Sequence, residues 1–179
     1  DGFDVLPAPG DPTTCYAMSQ QGNVRRLDLE TGNAVDIKPA DDGETALRFH
    51  WNSAIAQDPF NSNTIYFGSQ FVHKSMDRGD SWNTISPDLT TNDSAKQKFN
   101  ESGGLTYDVT GAENHTCILS IAPSPVEEGV IWAGTDDGNI QLTTDGGESW
   151  TNCAPLIKEL PSGAWVPQIV PSESKAGEA

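Results

Sequence analysis

The chain has 179 residues and a formal net charge of −16, from ten Lys and Arg against 26 Asp and Glu. That excess repels nucleic-acid phosphates, and the few basic residues form no cluster, so nucleic-acid binding is not expected. The longest apolar runs, such as residues 117–123, are too short to cross a bilayer. The acidic residues are scattered through turns rather than gathered in a block, which describes a solvated acidic surface.

The first forty residues read as part of a repeating unit. Residues 14–19 form a short β-pattern, a turn at Gln21-Gly22-Asn23 leads to residues 24–28, and a turn at Glu30-Thr31-Gly32-Asn33 leads to residues 34–37. These are expected to be strands two to four of a four-stranded unit whose innermost strand is missing or distorted. Residues 41–90 carry a fuller copy, with strands expected at 54–57, 65–68, 72–75 and from Trp82. Residues 115–170 carry another, at 118–122, 130–134, 140–143 and from Trp150. Each run is short, rich in β-branched and aromatic residues, and bounded by Gly, Asp, Asn or Pro. Nothing shows a sustained 3.6-residue apolar period, so little helix is expected. Residues 91–114 are a long connector, and residues 171–179 read as a polar tail. The absence of an initial Met and the polar ending suggest an excerpt from a longer protein.

Four-stranded units recurring at a fixed period predict an all-β fold, a partial propeller of antiparallel blades. About two and a half blades are visible, so the expected partners include further blades of the same chain.

Two turns carry a shared pattern. Ser75, Asp77, Gly79 and Trp82 match Thr143, Asp145, Gly147 and Trp150 in Ser/Thr-x-Asp-x-Gly-x-Ser-Trp. The Asp carboxylate can accept N–H groups across the turn, and the Gly supplies a positive φ. The hydroxyls close the turn, and the Trp buries a large ring against a neighbour. These residues are expected to be structural. Arg78-Gly79-Asp80 spells an adhesion-type tripeptide but lies inside the turn. Asp136-Asp137-Gly138-Asn139 lacks the later ligands of a calcium loop and reads as a hairpin turn. Asn92, Asn100 and Asn114 head glycosylation sequons. Cys15, Cys117 and Cys153 fit neither a zinc nor a redox pattern, and their odd number leaves at least one thiol free. No metal or cofactor is expected.

The turn pattern resembles the Asp-box, or bacterial neuraminidase, repeat. Longer strings, such as Arg48-Phe49-His50-Trp51-Asn52-Ser53 and residues 77–90 and 132–143, resemble the sortilin-type propellers of large bacterial proteins often labelled glycosyl hydrolases. The resemblance spans residues 1–170. It implies a secreted, periplasmic or cell-surface setting, and a fold more firmly than an activity.

In such a fold the loops entering the inner strands and the turns between strands two and three share one face. That face is expected to carry His50, Trp51, Asn52, Gln70, Asn114, His115 and Trp165 as ligand-binding candidates. Two functions follow. The first is a non-catalytic module binding protein or peptide segments, as the sortilin resemblance implies. The second is a xyloglucanase-like glycoside hydrolase acting on polysaccharide, which needs two converging carboxylates. Glu113, Asp136 and Asp137 are the candidates for those. A sialidase would need three converging arginines, which Arg25, Arg26, Arg48 and Arg78 are not expected to supply.

Overall fold

The computed structural model describes residues 2–41, 43–98 and 114–179. Twelve strands form three four-stranded antiparallel sheets among these residues. The first holds β1 (Gly2–Pro7), β2 (Thr14–Ser19), β3 (Asn23–Asp28) and β4 (Ala34–Asp36). The second holds β5 (Ile55–Gln57), β6 (Ile65–Gly68), β7 (Val72–Ser75) and β8 (Asn83–Thr84). The third holds β9 (Ile118–Pro123), β10 (Ile131–Thr135), β11 (Ile140–Thr143) and β12 (Thr151–Asn152). Each sheet is an up-and-down meander in chain order, and the described helical structure amounts to two single 3₁₀ turns.

The first sheet is a full four-stranded blade rather than a partial one, and its innermost strand is distorted, not missing. Its innermost strand is present as β1, paired with β2 through Val5↔Ala17, Leu6↔Tyr16 and Pro7↔Cys15, with an irregularity between Gly2 and Val5. That irregularity and the Asp4 and Pro7 side chains hide the strand from pattern reading. The outermost strands are shorter than their sequence suggests. Pairing begins after each tryptophan, at Asn83 and Thr151, because Trp82 and Trp150 are turned onto the adjacent sheet.

The sheets stack face to face, and alternation within each second strand sends successive side chains to opposite neighbours. Tyr16 and Met18 leave the first sheet to meet Ile65 and Phe67 of the second. Tyr66 leaves the second to meet Ile131 and Ala133 of the third. A strand with neighbours on both faces has no solvent side, so all four residues of β6 are buried, whereas β4 is exposed throughout. Burying a ring such as Phe67 or Tyr66 contributes about 2 kcal/mol by area removed from water.

The two Ser/Thr-x-Asp-x-Gly-x-Ser-Trp turns close β7–β8 and β11–β12 with matching bonds. Ser75 Oγ donates to Asp77 Oδ1 (2.7 Å) and accepts from Gly79 N (2.7 Å), while Asp77 accepts from Ser81 N (2.8 Å) and Oγ (2.6 Å). Thr143 Oγ1 donates to Asp145 (2.7 Å) and accepts from Gly147 N (3.0 Å), while Asp145 accepts from Ser149 N (2.9 Å) and Oγ (2.5 Å). Donors around the ionised form hold the Asp77 pKa down at about 2, led by Ser81, and lower that of Asp145 likewise.

Each tryptophan then fastens one sheet to the one before it. Trp82 Nε1 donates to Ile37 O (2.8 Å), and Trp150 Nε1 donates to Ile85 O (3.0 Å). Ile37 and Ile85 are equivalent, each donating its own N–H to a third-strand valine, Val24 or Val72. The Arg78-Gly79-Asp80 tripeptide serves the same joint. Arg78 pairs with Asp11 (2.9 Å), and Arg26 reaches both Arg78 O (2.8 Å) and Asp80 (2.9 Å). All three cysteines are free thiols, with Cys15 and Cys117 buried.

Candidate functional site

The segment that connects the first two sheets is pinned before it reaches β5. Gln70, fully buried in the β6–β7 turn, accepts from Arg48 N (2.8 Å) and donates to Ala46 O (3.0 Å), so one side-chain amide clips the loop at two points. Arg48 bonds Asp88 (2.7 Å) and Thr116 O (3.3 Å), tying this loop to the second sheet's exit and the third sheet's entry. Asn114 donates to Phe49 O (2.9 Å). Gly22, at φ +68°, lies under the Phe49 ring, and any side chain there would overlap it.

These constraints leave a cleft of about 540 Å³ lined by Gln21, Lys38, Arg48, Phe49, Asn114 and His115. Lys38 Nζ lies 4.4 Å above the Phe49 ring and donates to Gln21 O (2.8 Å). Burial lowers the Lys38 pKa from its ordinary value. The cleft thus combines an aromatic face, two cations and amide donors on a chain of net charge −16. Lys38, set over an aromatic floor in a concave site with the Asp88-paired Arg48 beside it, favours an acidic group next to an apolar one.

Behind the cleft lies a buried acidic knot. Asp137 Oδ2 accepts from Thr91 N and Oγ1 (2.7 Å each), and its Oδ1 from Thr135 Oγ1 (2.5 Å). Asn139 and Gln141 both donate to Leu89 O. The turn therefore anchors the start of the long connector. Asp136 is fully buried, accepts from Cys117 N (2.9 Å), and has its pKa raised to about 7 by burial. Its Oδ1 lies 3.4 Å from His115 Nδ1. Burial also lowers the His115 pKa. Since Nδ1 already accepts from Thr116 N (2.9 Å), the contact is not a full ion pair at neutral pH.

Of the residues placed on this face by sequence, Asn114 and His115 line the cleft, and Gln70 supports it from behind. His50 is buried and meets the half-exposed Trp165 edge-to-face, with centroids 5.2 Å apart. Trp51, half-buried, meets Phe3 of β1 edge-to-face, with centroids 6.2 Å apart. Asn52 is exposed, and its N–H is received by His50 Nδ1 (3.1 Å). Glu113 lies outside the described residues. Among the arginines, Arg25 pairs with Asp36 on the surface, Arg26 and Arg78 hold the joint, and Arg48 binds Asp88, so no triad converges. The Asn114 side-chain amide donates one N–H to Phe49 O (2.9 Å), which turns this sequon's side chain toward the cleft loop. Lys38, Arg48, Phe49 and Gln21 are not among the residues that the sequence places on this face. The available signal was that Lys38 and Arg48 are two of only ten basic residues. No group of three or more His, Cys, Asp or Glu side chains among the described residues could hold a metal ion. No described helix is long and apolar enough to cross a membrane.

The stacked meanders define a class: the chain is an all-β partial β-propeller of four-stranded antiparallel blades. No family model matches it, and no curated protein matches its sequence. Among solved structures it is similar to YCF48 bound to D1 peptide, at 15% identity and TM-score 0.50 over 84% of this chain and 38% of that one. It is also similar to a GH74 xyloglucanase from Xanthomonas campestris, at 19% identity and TM-score 0.54 over 84% of this chain and 20% of that one. Both are β-propellers, and at these identities the likeness concerns fold alone. The chain spans well under half the length of either.

Proposed function

We propose that this chain is part of a non-catalytic, sortilin-like Asp-box propeller at the cell surface, in the periplasm or secreted. Its cleft binds a protein or peptide segment that carries an acidic side chain next to an apolar one. The observation that carries the reading is the cleft itself, with Lys38 over Phe49 and Arg48 beside them on a loop clipped by Gln70. A peptide is among the things propellers hold, since YCF48 binds a D1 peptide. Asp136 and Asp137 are buried and fasten the frame, which argues for scaffolding rather than for paired acid and base. The alternative, a polysaccharide hydrolase, would draw on Glu113 with this pair.

The test uses two fluorescein-labelled decapeptides, alternating Asp–Leu and alternating Lys–Leu, titrated against the protein by anisotropy. The Asp–Leu peptide is expected to bind and the Lys–Leu peptide not. Lys38→Glu is expected to weaken binding at least tenfold, with affinity falling as salt rises. Equal binding of both peptides, or an unchanged Lys38→Glu, refutes the reading. Release of oligosaccharide from xyloglucan or β-glucan, abolished by Glu113→Gln, replaces it with the hydrolase.

A further inference from the structure

Residues 166–179 repeat the geometry of a blade's first strand and turn. After β6, Ile118 N donates to Ser69 O (2.8 Å), and after β10, Val166 N donates to Thr135 O (3.0 Å). Ile118 presses on Gly68, where an added Cβ would lie 3.0 Å from Ile118 Cβ. Val166 presses on Gly134, where an added Cβ would lie 2.6 Å from Val166 Cγ1. Further on, Ser124 N donates to Val130 O and Ser172 N to Glu178 O, both at 2.8 Å. Asp58 N to Thr64 O (3.0 Å) and Ala8 N to Thr14 O (2.9 Å) are the same bond in the first two blades. The Ser124 hydroxyl accepts from Val126 N and Glu127 N, as the Ser172 hydroxyl accepts from Ser174 N and Lys175 N. Gly129 and Gly177 both adopt positive φ, +84° and +74°. The sequence repeats too, Ile121-Ala122-Pro123-Ser124 against Ile169-Val170-Pro171-Ser172. A cavity of about 160 Å³ brings Asp4, Ile55, Ile121 and Ile169 together, one residue from each inner segment.

We infer that residues 166–179 open a fourth blade, and that the face between them and β11–β12 is a docking surface for strands two to four of one further repeat. The occupant's chemistry follows from the two joints already described. Ile37 and Ile85 each offer a carbonyl to a turn tryptophan, and Cys153 is the third equivalent, its N donating to Ile140 O (2.6 Å) as theirs donate to Val24 and Val72. The Cys153 carbonyl accepts only Leu156 N among the described bonds, which leaves a lone pair for an indole N–H. The face is apolar and about 570 Å³ in volume, lined by Trp132, Leu142, Cys153, Leu156, Ile169 and Val170. Leu156 is 77% and Val170 66% exposed, and the buried Trp132 Nε1–H has no acceptor among the described residues. A segment that continues the joint covers these side chains and pairs with the backbone of residues 168–170. This inference does not depend on the cleft or its ligand.

The experiment adds to the protein a synthetic peptide copying residues 130–152, its own strands two to four, and follows binding by calorimetry. Saturable one-to-one binding is expected, with the Cys153 thiol shielded from a disulfide reagent. The Trp150→Ala peptide is expected to bind at least tenfold more weakly. Val170→Asp in the protein, at an exposed position, abolishes peptide binding while the urea unfolding midpoint of the protein alone is unchanged. Absence of binding at millimolar peptide overturns the inference, as does equal affinity of the Trp150→Ala peptide. So does a dimer of the chain alone, seen by sedimentation and abolished by Val170→Asp, which would assign the face to a second copy.

Discussion

Gly147→Ala isolates the contribution of one inter-blade joint. Gly147 sits at φ +106°, and a Cβ there would collide with the Ile85 carbonyl oxygen and lie 2.9 Å from Ile85 Cβ. That carbonyl is the acceptor for Trp150 Nε1. An alanine therefore incurs backbone strain of about 1–2 kcal/mol. It must also push away backbone that cannot rotate aside, which costs the indole hydrogen bond about 1 kcal/mol and part of the ring's burial about 1 kcal/mol more. Gly146→Ala is the internal control, because Gly146 also has positive φ, +75°, but nothing lies within 4 Å of its added Cβ. It should show the strain alone. The two variants are expected to differ by about 2 kcal/mol in urea unfolding followed by tryptophan fluorescence at unchanged m-value. That corresponds to roughly 4–8 °C in Tm for a chain of this size. Gly147→Ala and Trp150→Phe should also be strongly non-additive, since both act on one hydrogen bond. If Gly146→Ala and Gly147→Ala unfold at the same urea concentration, the turn does not transmit its stability through the neighbouring blade and the reasoning fails.

Two buried groups give opposite pH slopes. His73 is 3% exposed, bonded to Ser69 Oγ (2.7 Å) and Thr84 Oγ1 (3.3 Å), and burial lowers its pKa from 6.5 to about 4. The folded state holds it neutral, so its contribution is fully present above pH 6.5 and is lost as pH falls from 6.5 to 4, a change on the order of 3 kcal/mol. His73→Gln should remove that acid-side loss in urea titrations across this range, and a variant with the wild-type slope refutes the assignment. Asp136 behaves inversely, because its folded pKa of about 7 lies above the ordinary 3.8. Its contribution is present at pH 4 and is lost as pH rises to 7, so Asp136→Asn should gain stability relative to wild type over the same interval. A difference between them that stays constant with pH would show that Asp136 is ionised in the fold.

The repeat was legible because its parts obey local rules. Strand periodicity located β6, β7, β9 and β11 closely, and the Ser/Thr-x-Asp-x-Gly-x-Ser-Trp turns close through bonds within a few residues, which sequence spacing encodes directly. The IAPS and IVPS strings were also present, but the second lies among polar residues without the rest of its blade. Its meaning emerges only when Val166 is seen pressed on Gly134.

Sequence by itself determined that the chain makes short antiparallel strands, where the turns lie, and that large rings must be buried beyond each turn. Tertiary structure decided which carbonyl each tryptophan meets, that β1 completes the first blade, and that Lys38, Phe49 and Arg48 share a cleft with His115. It also decided that Asp136 and Asp137 are buried rather than presented. The physical reason is range. A turn's hydrogen bonds join neighbours in the chain, whereas a cleft, a pKa shift and an inter-blade joint arise from groups brought together across separate blades, which no local pattern encodes.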